Sequence, residues 1–200
     1  MSKAQSIISK VEHLPSGEPF ASTSFLKLGS RSAVDNCLSR LVKQGAIERV
    51  TQGVYIRPKH SRFVGSVKPE INKVIKTIAE SNGETLQVHG AEAARRFKLS
   101  TQMPTQPTYY TSGSSRTLKI GNLNIKLIHA AQRKLQLSEK KSGLALSALW
   151  YIGNENLTPD IVEQVCSKLE TNALEELFAA NMPAWMNSAL QRYQQQQTIA

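Results

Sequence analysis

Only two cysteines occur, Cys37 and Cys166, too few and too far apart for a disulfide framework or a cysteine-based metal site. Both fall on the apolar faces of predicted helices, where buried thiols are expected. No apolar run reaches membrane-spanning length, and the opening MSKAQSIISK lacks the apolar stretch of a signal peptide. These absences lead us to expect a cytoplasmic protein with no membrane partner. Aspartate is missing between Val64 and Asn154, where the acids are Glu70, Glu80, Glu84, Glu92 and Glu139. A metal-dependent nuclease needs clustered carboxylates, and this stretch is poor material for one. Neither GxxxxGK[ST], nor GxGxxG after a strand, nor GxSxG occurs. The expectation is a protein that is not an enzyme and takes no metal or cofactor.

What is present is positive charge. Twenty-five Lys and Arg face 15 Asp and Glu in 200 residues, a formal net charge of +10. An excess of that size points to a polyanionic partner, most simply nucleic acid. The charge is also segregated. Residues 1–62 carry ten bases and four acids, and residues 116–141 carry seven bases and one acid. From Glu155 onward there are six acids and two bases, which suggests two basic surfaces and an acidic helical tail.

Hydrophobic periodicity predicts an α+β chain in three parts. Residues 1–62 read as a winged helix-turn-helix: a helix over 4–13, a short helix capped by Ser22 or Thr23 and ending at Leu28-Gly29, a second helix after Ser30, and a hairpin. In the second helix, Val34, Leu38, Leu41 and Val42 form the apolar stripe and Gly45 closes it. Ile47–Val50 and Val54–Ile56 flank the Thr51-Gln52-Gly53 turn, whose glycine supplies positive φ. After a linker over Lys59–Lys68, residues 63–153 read as a small mixed α/β domain. It has helices over 69–82, 90–97 and 142–153, and strands at 86–88, 108–111, 116–120 and 123–128, the last two joined by Gly121-Asn122. Residues 154–200 read as a helical C-terminal segment, with helices over 159–170, 172–180 and 184–196 and a frayed end.

A recognition helix buries one face and presents hydrogen-bonding and basic groups on the other, because base edges are read in the major groove. Removing the apolar stripe from the 31–44 helix leaves Arg31, Ser32, Asp35, Asn36, Ser39, Arg40 and Lys43. Ser32, Asn36, Ser39 or Arg40, and Lys43 recur along one face, with Ser30 at the N-cap. Asn suits adenine, Arg suits guanine, and Ser and Lys suit phosphate or base. Asp35 repels phosphate unless it pairs with Arg31 or Ser39. The hairpin adds Arg49, Thr51, Gln52 and Arg57 as wing contacts. Arg116, Lys119, Lys126, Arg133 and Lys134 form a second basic patch, a solvated sheet face or a further nucleic-acid surface that extends a DNA footprint or holds an RNA. His89 and His129, at strand ends, read as structural or surface residues before catalytic ones. Ser112-Gly113-Ser114-Ser115 reads as a polar connector, or more weakly as a phosphate cradle.

The stretch GEPFASTSFLKLGSRSAVDNCLSRLVKQGAIERVTQGVYIRPK resembles the N-terminal winged helix of the AbiEi-type antitoxins of type IV toxin–antitoxin systems. LQVHGAEAARRFKLSTQMP looks like the start of that family's second domain, so that the resemblance covers about residues 5–153. The resemblance implies a bacterial repressor that binds its own operator, with Ser30 to Lys43 reading DNA and Arg49 to Arg57 as the wing. It also implies a second domain that counteracts a nucleotidyltransferase-like AbiEii toxin, without requiring a stable complex. A different class of function is an interaction module that docks a partner or a second copy through the C-terminal helices, anchored by Trp150, Trp185 and Phe178. A metabolite-responsive repressor would instead need a sizeable apolar pocket.

Overall fold

The computed structural model describes residues 2–61, 65–67 and 69–199. Ser2 opens helix α1 (Lys3–Glu12) with a capping box, its side chain accepting from the Gln5 N–H while Gln5 reaches back to the Ser2 N–H. Ile7 and Val11 are one turn apart on the buried face. Pro19–Ala21 forms strand β1, too short to show in the hydrophobic pattern. Ser22–Phe25 is a 3-10 turn rather than an α-helix, and neither Ser22 nor Thr23 caps it, because Ala21 holds the N-cap position. The Ser22 N–H instead donates to the Gly53 carbonyl at 2.8 Å.

Ser30 starts α2 (Arg31–Lys43) by accepting from the Ala33 N–H. Gly45 follows the helix at φ 72, the left-handed position that a helix end favours. Strands β2 (Glu48–Thr51) and β3 (Val54–Ile56) turn at Gly53, with a bulge between Arg49 and Thr51. The sheet order is β1-β3-β2, all antiparallel. Val34, Leu38 and Phe25 are fully buried beside Ile7, forming one core with Phe20 and Tyr55. Each such side chain stabilises the fold by about 1.5–3 kcal/mol.

Within the expected linker, β4 (His60–Ser61) pairs with β5 (Gly65–Ser66), and the Val67 N–H donates to the Lys59 carbonyl. Helix α3 (Ile71–Asn82) follows and ends at Gly83, φ 67. The second sheet holds β6 (Leu86–Val88), β7 (Thr108–Thr111), β8 (Arg116–Ile120) and β9 (Leu123–His129) in the order β6-β7-β9-β8. Its central pair, β7 and β9, is parallel, with Tyr110 beside Ile128. Helix α4 (Gly90–Arg96) lies between β6 and β7 in sequence. On α4, the Arg95 hydrogen bond, joined by Arg96 and opposed by partial burial, holds the Glu92 carboxyl at about 2.

The C-terminal half adds α5 (Gln132–Leu135), α6 (Lys141–Ile152), α7 (Pro159–Cys166), α8 (Thr171–Phe178) and α9 (Ala184–Ile199). Helix α5 has no periodic signature because it is one turn long. Helix α9 continues through the glutamine run that was expected to fray, since glutamine is a competent helix former. Helix α6 is apolar on nearly every face and is accordingly buried, from Ala145 to Leu149 without interruption.

The chain divides into two units, Met1–Glu84 with Lys119–Leu123, and Thr85–Leu118 with Asn124–Ala200. The three-part expectation therefore gives way to two. Helix α3 packs on β1 and belongs with the first unit, and the C-terminal helices share one core with α4 and α6 rather than forming a segment of their own. The expected boundary at 62/63 lies outside the described residues.

Both thiols are buried. Burial raises the Cys37 thiol above its ordinary range, opposed by Arg40, and pushes Cys166 up to about 12. Thiolate is the reactive form. The native protein is therefore expected to leave Cys166 unlabelled by a thiol reagent at pH 8 over hours, and to label it within minutes in denaturant, as mass spectrometry would show.

Candidate nucleic-acid interface

Helix α2 is 13 residues long, about 20 Å at 1.5 Å per residue. Its core stripe fixes which side faces water. With Val34, Cys37, Leu38 and Leu41 buried, the side chains of Arg31, Ser32, Asn36, Ser39, Arg40 and Lys43 are exposed. Arg31 Nε donates to Asp35 Oδ2 at 3.0 Å, so the one carboxylate on this surface is neutralised by its neighbour a turn away. Ser30 and Ser32 hydroxyls are 3.3 Å apart, and the Ser30 oxygen also serves the cap. Among the described residues, Asn36, Ser39 and Lys43 have no side-chain hydrogen bond and Arg40 no ion pair. The helix thus presents an amide, a hydroxyl, a guanidinium and an ammonium in succession over two turns.

The hairpin residues expected to form a wing are placed unevenly. Gln52 is exposed at the turn, and Gly53 has φ 74. Arg49 is exposed, with Nε donating to the Thr51 carbonyl at 3.4 Å. The Thr51 hydroxyl donates to the Lys119 carbonyl at 3.1 Å, which leaves it less available to a phosphate. Arg57, expected as a wing contact, is drawn to the end of α1. Its Nη1 donates to the Glu12 and Leu14 carbonyls at 2.7 and 2.6 Å, satisfying acceptors left open where α1 ends. The arginine is structural because a guanidinium matches two adjacent carbonyls better than solvent does. Arg57→Ala is expected to cost about 1–3 kcal/mol in a urea titration, while changing affinity for duplex DNA less than twofold.

The second basic patch is divided. Lys119 belongs to the first unit, while Arg116, Lys126, Arg133 and Lys134 belong to the second. On β9, Lys126 is exposed while its neighbours Ile125 and Leu127 are buried. Arg133 and Lys134 sit on α5, with Arg133 Cζ 5.1 Å and Lys134 Nζ 4.9 Å from the Trp150 ring centroid. Lys134 Nζ is also 5.8 Å from the Tyr110 ring. Sequence reasoning missed the aromatic half of this surface, since residues 110 and 150 meet the lysine only through the fold.

Both histidines make local hydrogen bonds through Nδ1. His89 caps α4, its Nδ1 accepting from the Ala91 N–H at 3.3 Å, and its ring lies 4.7 Å from that of Tyr110. Burial lowers its pKa, and Lys134 and Lys126 lower it further. His129 Nδ1–H donates to the Gly113 carbonyl at 2.9 Å, while its backbone N–H donates to Ser115 Oγ. It therefore ties down the 112–115 connector. That connector is a poor phosphate cradle, because the Ser112 and Gly113 amides already donate to the Thr85 carbonyl and Thr111 Oγ1. Among the described residues, no group of three or more His, Cys, Asp or Glu is disposed to hold a metal ion. Among them, too, no helix is long and apolar enough to cross a membrane. Trp150, Trp185 and Phe178, the expected docking anchors, are half-buried against the core of the second unit.

No curated protein matches the chain. Among solved structures it is similar to the crystal structure of the RV2827C protein from Mycobacterium tuberculosis, at 12% identity and a TM-score of 0.39, over 96% of this chain and 82% of that one. Residues 6–177 match the family described as "Family of unknown function (DUF6088)", and the chain belongs to that family.

Proposed function

We propose that the first unit is a winged helix-turn-helix that binds double-stranded DNA and that the protein is a cytoplasmic transcriptional regulator. The observation that carries this reading is the exposed face of α2. Asn36, Ser39, Arg40 and Lys43 are exposed on a helix whose opposite face is buried, and among the described residues neither Arg40 nor Lys43 forms an ion pair. Side chains left free on a rigid helix are what major-groove reading requires, since base edges must supply their hydrogen bonds. The exposed Arg49 and Gln52 extend the same basic character to the hairpin. The helix–turn–helix–hairpin order supports the same assignment, with a 3-10 turn standing where the first short helix was expected.

The resemblance to AbiEi-type antitoxins extends the proposal. In that reading the protein represses its own operon and counteracts a nucleotidyltransferase-like toxin encoded beside it, without a stable complex. A promoter–reporter assay tests both parts. The full chain supplied in trans should reduce expression from its own upstream DNA, and Arg40→Ala should restore it. Co-expression should rescue growth from the adjacent toxin in both cases, because toxin antagonism belongs to the second unit. Unrepressed expression with the intact chain would overturn the regulator reading.

A further inference from the structure

Cations and acids are not distributed evenly over the second unit. Arg95 and Arg96 pair with Glu92, Lys140 with Glu176 and Lys141 with Glu170. Lys126, Arg133 and Lys134 form no ion pair among the described residues, and they gather where aromatic rings gather. Lys134 lies over both Trp150 and Tyr110, Arg133 lies over Trp150, and the His89 ring sits 4.7 Å from Tyr110 and 6.2 Å from Tyr151. The parallel register of β7 and β9 sets Thr108 beside Lys126 and Tyr110 beside Ile128, which puts Lys126 and Tyr110 on one face of the sheet. Tyr151 is 46% exposed, while its Cβ is pressed against α4 so closely that a Cβ on Gly90 would lie 2.4 Å from it. The ring is thus wet, yet its backbone is fixed.

We propose that Tyr151, His89, Tyr110 and Trp150, with Lys134, Arg133 and Lys126, form a binding surface for single-stranded nucleic acid on the second unit. The chemistry needs both halves. Unpaired bases offer π faces to aromatic rings, and phosphates call for cations that no carboxylate holds. A duplex stacks its bases internally and has no use for exposed rings, which is why a single strand is the better fit. Lys134 and Arg133 rest on aromatic faces through cation–π contacts, which leave their charge unneutralised for a phosphate. This surface contains no residue of α2 and is separate from the helix proposed to read duplex DNA.

The test is fluorescence anisotropy of the full chain with labelled 12-nucleotide single strands of mixed sequence, one of RNA and one of DNA, in low salt. At least one strand should bind, and Tyr151→Ala and Lys134→Gln should each weaken binding about tenfold or more. Arg133→Gln, at an exposed side chain, should reduce the log–log salt slope by about 0.7 and guards against a folding artefact in the other two. Tighter binding of RNA would assign a role to the 2′-hydroxyl, and equal binding would assign recognition to base and phosphate alone; either supports the site. No binding of either strand, or binding indifferent to all three second-unit variants, would overturn it.

Discussion

Gly143→Ala is expected to cost about 3 kcal/mol or more, a large share of a total stability of about 5–15 kcal/mol. A Cβ at this position on α6 would sit 1.9 Å from the Leu137 carbonyl oxygen and 2.6 Å from Gln87 Nε2. Neither neighbour can yield cheaply. Gln87 is 3% exposed, and the Leu137 carbonyl accepts from the Lys140 N–H in a loop where Leu137 and Glu139 already adopt positive φ. Non-glycine residues in that region are strained, so the loop has little freedom left to absorb a shift. Gly121→Ala is the control. It has φ 58 but open space around its Cβ position, so only the backbone penalty of about 1–2 kcal/mol applies. Urea titrations of the two variants should separate by at least their difference, and equal losses would mean that α6 can shift away from the loop.

The second large effect concerns α2. Asn36→Ala and Arg40→Ala should each weaken binding to the protein's own upstream duplex by about 1–3 kcal/mol, some five- to 150-fold. Both side chains are exposed and neither supports the core, so the loss should appear in affinity and leave the unfolding midpoint nearly unmoved. Lys43→Gln should behave differently. A phosphate contact weakens binding to every duplex alike and lowers the salt slope by about 0.9. That contrast separates residues that read sequence from residues that only hold the backbone.

The elements with strong periodicity were legible. Helices α2 and α6, strands β6 to β9 and the turns at Gly45, Gly53 and Gly121 follow from apolar spacing and from glycines that observed positive φ explains. What was not legible depends on distance in sequence. Strand β1 is three residues long and exists because Phe20 and Ala21 pair with Tyr55 and Val54. Arg57 looked like any other basic hairpin residue until its carbonyl partners, more than forty positions away, came beside it. The second basic patch was visible as a charge run, but its rings come from residues 89, 110, 150 and 151, which only the parallel β7–β9 pairing and the α4–α6 approach assemble. The division into two units was missed for a similar reason, since the acidic tail reads as separate by composition while its apolar residues complete the core of α4 and α6.

Duplex reading by α2 is tested most directly by an equilibrium titration of the full chain against its own upstream duplex and a scrambled duplex of equal length, repeated with Asn36→Ala and Arg40→Ala proteins. The wild-type protein should prefer the upstream duplex by at least tenfold, and both variants should erase most of that preference while still binding the scrambled duplex. Equal affinity for the two duplexes, steeply dependent on salt and indifferent to both substitutions, would contradict it.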